Sequence, residues 1–202
     1  MTIYEAQNDK YLLKIAQDED AENPRTAWDN VGTMVCWHRR YNLGDDHHFT
    51  DPQDFHREIH ERNALILPLF LYDHSVLVMS TSSFVGRTPH AEWDSGQVGW
   101  IYVLKTAIRQ EWGVKRISPK LREHIYHILE SEVAVYSDYL RGNVYGFILE
   151  EKTACDCDGD CDCEPDTKEE NSCWGFYGDD FYDNGMAGYL PENCRPLLKN
   201  YR

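Results

Sequence analysis

The feature that most constrains the fold is one long stretch of helical periodicity in the second half of the chain. Ser118 followed by Pro119 is a typical helix start, with a capping hydroxyl and a proline in the first turn. Apolar residues then recur every three or four positions: Leu121, Ile125, Ile128, Leu129, Val133, Tyr136 and Leu140. This spacing predicts one long amphipathic helix over about residues 119–140 that lies across a sheet.

Short apolar segments bounded by turn residues predict the strands of that sheet. They are residues 2–6, 11–17, 32–40, 64–72, 76–80, 97–104, 143–150 and 172–177. The Pro68 segment is expected at an edge or bulge, because proline donates no ladder hydrogen bond. Shorter helices are expected after Asp51-Pro52 and over 106–112. The pattern predicts one α+β domain, residues 1–202, with a mixed, mostly antiparallel sheet, helices on one face and no glycine-rich phosphate loop.

Acidic side chains dominate the charge, with 35 Asp and Glu against 20 Lys and Arg, for a net charge of −15. This balance disfavours nucleic acid and anionic membranes as direct partners and favours a protein with a basic surface. Solubility alone is the other explanation. No apolar run reaches the roughly 18 residues of a membrane span, and the first residues lack the pattern of a signal peptide, so we expect a cytoplasmic protein.

The most unusual segment is an acidic, cysteine-rich loop expected at about residues 152–171. Two Cys-x-Cys pairs within it could supply four thiolates to one zinc ion: Cys155, Cys157, Cys161 and Cys163. The interleaved aspartates do not fit an EF-hand, because glycine and glutamate are missing from the sixth and twelfth positions. The alternative is a solvated loop that binds no cofactor.

Four histidines form a second group that could hold a metal: His47, His48, His56 and His60. His56 and His60 are spaced to share one face of a helix. Their segment, His-Arg-Glu-Ile-His, has glutamate in the third position and not in the second as zinc proteases require, and no third ligand is specified. Solvent-facing helix histidines are the alternative interpretation.

Other polar groups do not form a recognisable catalytic signature, so the chain is not expected to be an enzyme. Cys36 and His38 would share one face of a strand, but no orienting group or oxyanion hole is apparent. Two polar segments, 72–75 (Tyr-Asp-His-Ser) and 93–97 (Trp-Asp-Ser-Gly-Gln), are explained by turn chemistry.

Aromatic residues interleaved with acids over 174–183 are the kind of anchors that an acidic binding surface uses. A core strand followed by a turn is the alternative. Together with the acidic loop, this segment defines the candidate partner-binding residues: Asp156, Asp158, Asp160, Asp162, Glu164, Asp179, Asp180, Phe181 and Tyr182.

Three longer motifs carry a resemblance. They are the segment from Arg25 to Asp45, including GTMVCWHRRYNLGD, then WDSGQVGWIYV over 93–103, and SCWGFYG over 172–178. In these the chain resembles a group of small uncharacterised proteins carried by bacteriophages and mobile elements, over about residues 23–178. The resemblance implies an accessory protein that helps such an element survive its host, and it supplies no catalytic residues. The thiol-rich loop is not part of the pattern.

The leading hypothesis is a non-enzymatic inhibitor that binds the basic nucleic-acid surface of a host defence nuclease, of the restriction or CRISPR kind. One alternative is a metal-binding protein or metal-dependent enzyme that uses the histidines or the thiols. Another is a virion structural or assembly component. Since 150–170 contains ten acids and two lysines, the first hypothesis predicts that deleting 152–171 abolishes inhibition and preserves the fold.

Overall fold

A computed structural model describes residues 2–153 and 166–201, with side chains described as far as residue 198. The strands are β1 (Thr2–Gln7), β2 (Tyr11–Gln17), β3 (Thr33–Cys36), β4 (Ala64–His74), β5 (Val76–Ser80), β6 (Ser95–Leu104), β7 (Val144–Lys152) and β8 (Thr167–Tyr177). The helices are α1 (Pro24–Ala27), α2 (Pro52–Glu58), α3 (Ala91–Asp94), α4 (Lys105–Glu111), α5 (Pro119–Arg141) and α6 (Met186–Tyr189), with a 3-10 helix over Arg195–Tyr201. The α+β class is confirmed.

The strands form two sheets where the sequence predicted one. They belong to two compact units: a terminal unit, made of Met1–Glu22 and Gly142–Arg202, and a central unit, Asn23–Arg141. Each unit contains a four-stranded sheet, and every strand pair in the described residues is antiparallel. The prediction of a single domain stays a prediction. Across the described residues, no helix combines the length and apolar character that a membrane crossing needs.

The central unit is organised by α5, the helix expected from periodicity. Ser118 caps it as predicted, because its hydroxyl oxygen accepts a hydrogen bond from the Leu121 amide at 3.1 Å. The helix packs on β5 and β4 of a sheet ordered β3-β6-β4-β5. Its buried apolar side chains, Ile125, Leu129, Val133 and Tyr136, face the sheet residues of the same core.

Pro68 lies in a part of β4 where the missing backbone N–H donor is tolerated. It pairs with Trp100 of β6, whereas β5 joins the other side of β4 only from Phe70 onward. Pro68 therefore occupies the stretch of β4 that has one neighbour, and a register shift follows at Leu69 and Phe70. Although β4 is an inner strand of the sheet, the Pro68 segment itself lies at an open edge and beside a bulge, as expected.

A buried arginine links three segments of the central unit that are distant in sequence. Arg25, whose side chain is 1% exposed, donates to both carboxylate oxygens of Asp45 at 2.8 and 2.6 Å and to Glu132 at 2.9 Å. A fourth bond runs to the Gly32 carbonyl at 2.6 Å. Burial alone lowers the pKa of Arg25, but the hydrogen bonds and Coulomb attraction of the two carboxylates outweigh it, so the pKa is raised.

The terminal unit contains a sheet ordered β1-β2-β7-β8. Its core combines residues of β2 and β7, such as Leu13 and Phe147, with residues of the C-terminal segment, such as Met186 and Leu197. Gly146 of β7 is required by close packing: a Cβ atom there would come within 2.2 Å of the Trp174 ring on β8. The strand β8 lies at the sheet edge, and its first six residues, 167–172, are all exposed.

Candidate protein-binding surface

Formal charge is divided very unequally between the two units. The terminal unit contains 20 acidic and 7 basic residues, a net charge of −13, whereas the central unit contains 15 and 13, a net charge of −2. The thiol-rich segment 154–165 contributes five of those acids. The acidity is therefore a property of the terminal unit as a whole and not of the loop alone.

Most of the predicted site residues lie outside the described residues. These are the five acids Asp156, Asp158, Asp160, Asp162 and Glu164, and the four thiols Cys155, Cys157, Cys161 and Cys163. Zinc binding by the thiols stays a prediction. What the structure describes is the acidic surface on either side of them.

The turn after β8 carries the other predicted residues, and one of them is corrected. Phe181 is 3% exposed and belongs to the apolar core of the terminal unit, so its ring is not available as an anchor. Asp180 stabilises the turn, because its carboxylate accepts from the amides of Tyr182 and Asp183 at 3.0 and 3.2 Å. Asp179 and Asp183 are exposed.

Tyr182 combines exposure with a fixed position. Its side chain is 41% exposed, and its hydroxyl donates to the Arg195 carbonyl at 2.7 Å. Trp174 and Tyr189 of the same unit are also large exposed aromatics. Aromatic side chains held in one orientation lose little conformational entropy on binding and are favoured anchors in interfaces.

The edge strand supplies carboxylates that sequence reasoning did not single out. Asp166, which directly precedes β8, and Glu169 and Glu170 within it are exposed. In sequence they looked like the end of a loop, because the polar run gives no strand pattern. Pairing with β7 across Glu150–Glu169 and Lys152–Thr167 makes this segment a strand.

Two acidic residues of β7 already form ion pairs with lysines of the same unit. Glu150 accepts from Lys14 at 2.7 Å, and the pKa of Glu150 is lowered chiefly by that hydrogen bond. Glu151 pairs with Lys10 at 3.0 Å, and the pKa of Lys10 is raised by its hydrogen bonds to Tyr11 and Glu151. A basic partner would therefore meet the exposed carboxylates that follow β7 in the sequence, beginning with Asp166.

The four histidines do not converge. Helix α2 ends at Glu58, so His56 and His60 do not share a helix face as expected. His56 packs edge-on to Trp100, with ring centroids 4.5 Å apart, and a ring nitrogen of His47 lies 3.1 Å from the Cys36 carbonyl oxygen. Within residues 2–153 and 166–201, no three His, Cys, Asp or Glu side chains are grouped closely enough to hold a metal.

Cys36 does not have the properties of a nucleophile. Burial raises the pKa of its thiol to about 12, because the thiolate would lose its solvation. His38 lies beyond the end of β3 and stacks on Tyr41, with ring centroids 5.0 Å apart. Cys36 is a core residue of the central unit.

Comparison with protein-family models, with curated proteins and with solved structures gave no significant match.

Proposed function

We propose that this protein is an acidic accessory inhibitor that binds the basic nucleic-acid surface of a host defence nuclease, of the restriction or CRISPR kind. The observation that carries the proposal is the difference in net charge between the two units, −13 for the terminal unit and −2 for the central unit. Such an asymmetry gives the molecule one strongly negative part, which steers a positively charged partner toward it.

The geometry of the acidic surface supports this mode of binding. Glu169 and Glu170 are exposed carboxylates on an edge strand, whose regular backbone spaces them, and the Arg and Lys of a nuclease cleft that tracks phosphates can match such a row. Tyr182 and Trp174 add exposed apolar area in the same unit. In this mode of binding, the carboxylates raise the association rate and orient the partner, and the exposed aromatic side chains contribute affinity.

A direct test is binding to a panel of purified restriction and CRISPR nucleases, with competition by their DNA. We expect one nuclease to bind in competition with DNA, with an affinity that falls as salt rises through the range where exposed charges are screened. No complex with any member of the panel would count against the proposal. A complex that forms alongside bound DNA would contradict the proposed mechanism.

A matched pair of charge variants locates the surface. One neutralises Asp166, Glu170, Asp179 and Asp183 of the terminal unit, and its control neutralises the exposed Asp29, Glu61, Glu111 and Glu123 of the central unit. Both change the net charge by four. The terminal variant should weaken binding by about tenfold or more, since four interfacial charges each contribute a fraction of a kcal/mol or more. Equal loss in both variants would mean a general charge effect.

The contribution of the thiol-rich loop needs a cleaner variant than deletion of 152–171, which would remove five residues of β8. Thr153 donates from its amide to the Asp166 carbonyl at 2.7 Å, so the two ends of segment 154–165 are adjacent. Replacing 154–165 by Asn-Gly should preserve the hairpin. Inhibition that survives this replacement assigns the interface to the described surface, and inhibition that is lost assigns it to the loop.

A further inference from the structure

The two polar turns of the central unit, explained above by local turn chemistry, meet in the structure. Tyr72 of β4 pairs with Ser95 of β6, and His74 donates from Nδ1 to Asp94 at 2.8 Å. An open cleft of about 430 Å³ lies beside them. Its lining includes Trp37, Arg39, Asp73, Trp93, Asp94 and Gln97. This volume is within the range of small-molecule sites.

The cleft contains two guanidinium and two carboxylate groups, and one of the guanidinium groups is unpaired among the described residues. Asp73 is paired with Arg40, and Asp94 accepts from His74. Arg39 also lines the cleft, is exposed, and has no ionic or hydrogen-bonding partner in the described part of the chain. Because the two carboxylates are occupied, the group left to attract a ligand is a cation. A guanidinium with unused donors is suited to a phosphate or carboxylate.

Trp93 supplies a planar surface at the same place. Its side chain is 88% exposed, on the single-turn helix α3. Leaving a large aromatic side chain in water forgoes the free energy of burying it. Exposed indoles are used as stacking surfaces for planar rings.

Two residues with strained backbone conformations belong to this arrangement. Ser75 and His90 are the non-glycine residues with positive φ in the described part of the chain, at 68° and 57°. Ser75 is the single residue between the paired His74 and Val76 of the β4–β5 hairpin, and the His90 ring stacks on His74. Such conformations are unfavourable and persist where the surroundings impose them, often at ligand sites.

We propose that this cleft binds a small planar anion of the nucleotide class, with its phosphate on Arg39 and its base stacked on Trp93. Gln97 and Ser95 offer acceptor oxygens to the edge of the base. The Ser95 hydroxyl itself donates to the Ala91 carbonyl at 2.6 Å, and the Gln97 amide nitrogen donates to the Gly99 carbonyl at 3.3 Å. The ligand is a free mononucleotide and not a nucleic acid strand, because the described residues of the cleft offer one unpaired guanidinium, which suits a single phosphate and not a row of phosphates. The inference does not depend on the proposed inhibition, which uses the terminal unit.

Calorimetric or NMR titration of the whole protein tests it, with AMP, adenosine and inorganic phosphate as probes. AMP should bind more tightly than either part alone. Arg39→Gln should weaken AMP by about tenfold or more, the loss of one charge-assisted hydrogen bond, and leave adenosine unchanged. Trp93→Ala should weaken both AMP and adenosine and leave phosphate unchanged. Both residues are exposed, so neither variant should alter the melting temperature.

Arg57→Gln is the matched control, since Arg57 is exposed on α2 and does not line the cleft. It should bind AMP as the parent does. The proposal is overturned if none of AMP, GMP, CMP and UMP saturates the protein at millimolar concentration, or if AMP binding is the same in Arg39→Gln, Trp93→Ala and the control. Tighter binding of a 5′-phosphorylated oligonucleotide than of AMP would overturn the assignment to a free mononucleotide.

Discussion

The terminal and central units use charge in opposite ways. In the central unit, acids and bases are nearly equal in number, and several face one another at close range, as in Arg25 with Asp45 and Glu132. In the terminal unit, acids outnumber bases almost three to one, and Asp166, Glu170 and Asp179 are exposed. Paired internal charge specifies structure, whereas unpaired external charge remains available to a partner. The total of −15 does not distinguish these roles.

The largest expected effect is the loss of the buried arginine. Arg25→Met should lower the free energy of unfolding by about 3–5 kcal/mol, because Asp45 and Glu132 would remain partly buried without their shared cation. Denaturant unfolding measures this. Arg57→Met, which removes an exposed i,i+3 partner of Asp54, should cost less than about 0.5 kcal/mol. Equal losses in the two variants would mean that the buried network is not a stabilising element.

The terminal unit should be more sensitive to packing than to charge. Gly146→Ala should destabilise it by about 1–3 kcal/mol, since the new methyl group would overlap the Trp174 ring and displace it. A shift in tryptophan emission should accompany the loss. Gly188→Ala is the control, because a Cβ atom there meets open space. If Gly146→Ala has the stability and emission of the control, the ring does not pack over β7.

The ion pair between β2 and β7 should give a smaller, pH-dependent effect. The folded-state pKa of Glu150 is lowered, so its contribution is present above the unfolded-state pKa and is lost as pH falls through the folded-state value. Lys14→Met should cost about 1 kcal/mol or less at pH 7 and progressively less below pH ~4. Urea unfolding at several pH values checks this, with the exposed Lys115→Met as control. A difference that grows in acid would contradict the assignment.

The smallest effect on stability is expected where the effect on binding is largest. Neutralising Asp166, Glu170, Asp179 and Asp183 should change the free energy of unfolding by less than about 0.5 kcal/mol, or raise it slightly through relief of repulsion. Thermal melting at low salt measures it. A loss above 1 kcal/mol would show that these carboxylates stabilise the fold, and the binding result could then not be assigned to an interface.

Local chemistry explains which elements could be predicted from the sequence. The N-caps Ser118 and Asp51 lie where their hydroxyl and carboxylate meet the first turn of a helix, and both form the expected bond. The β1–β2 hairpin and the long helix follow from periodicities that a short window contains. Helix α2 was placed correctly at its start, but its end at Glu58 has no comparable signal, so the proximity of His56 and His60 was misjudged.

The sequence by itself determined the total charge, which follows from composition, and the α+β class and the long helix, which follow from patterns a few residues apart. Only the tertiary structure decided which strands share a sheet, that Phe181 is buried, and that Arg25 meets Glu132, 107 residues away. It also brought His74 to Asp94. These outcomes depend on register and packing between distant segments, for which a single sequence contains no local pattern.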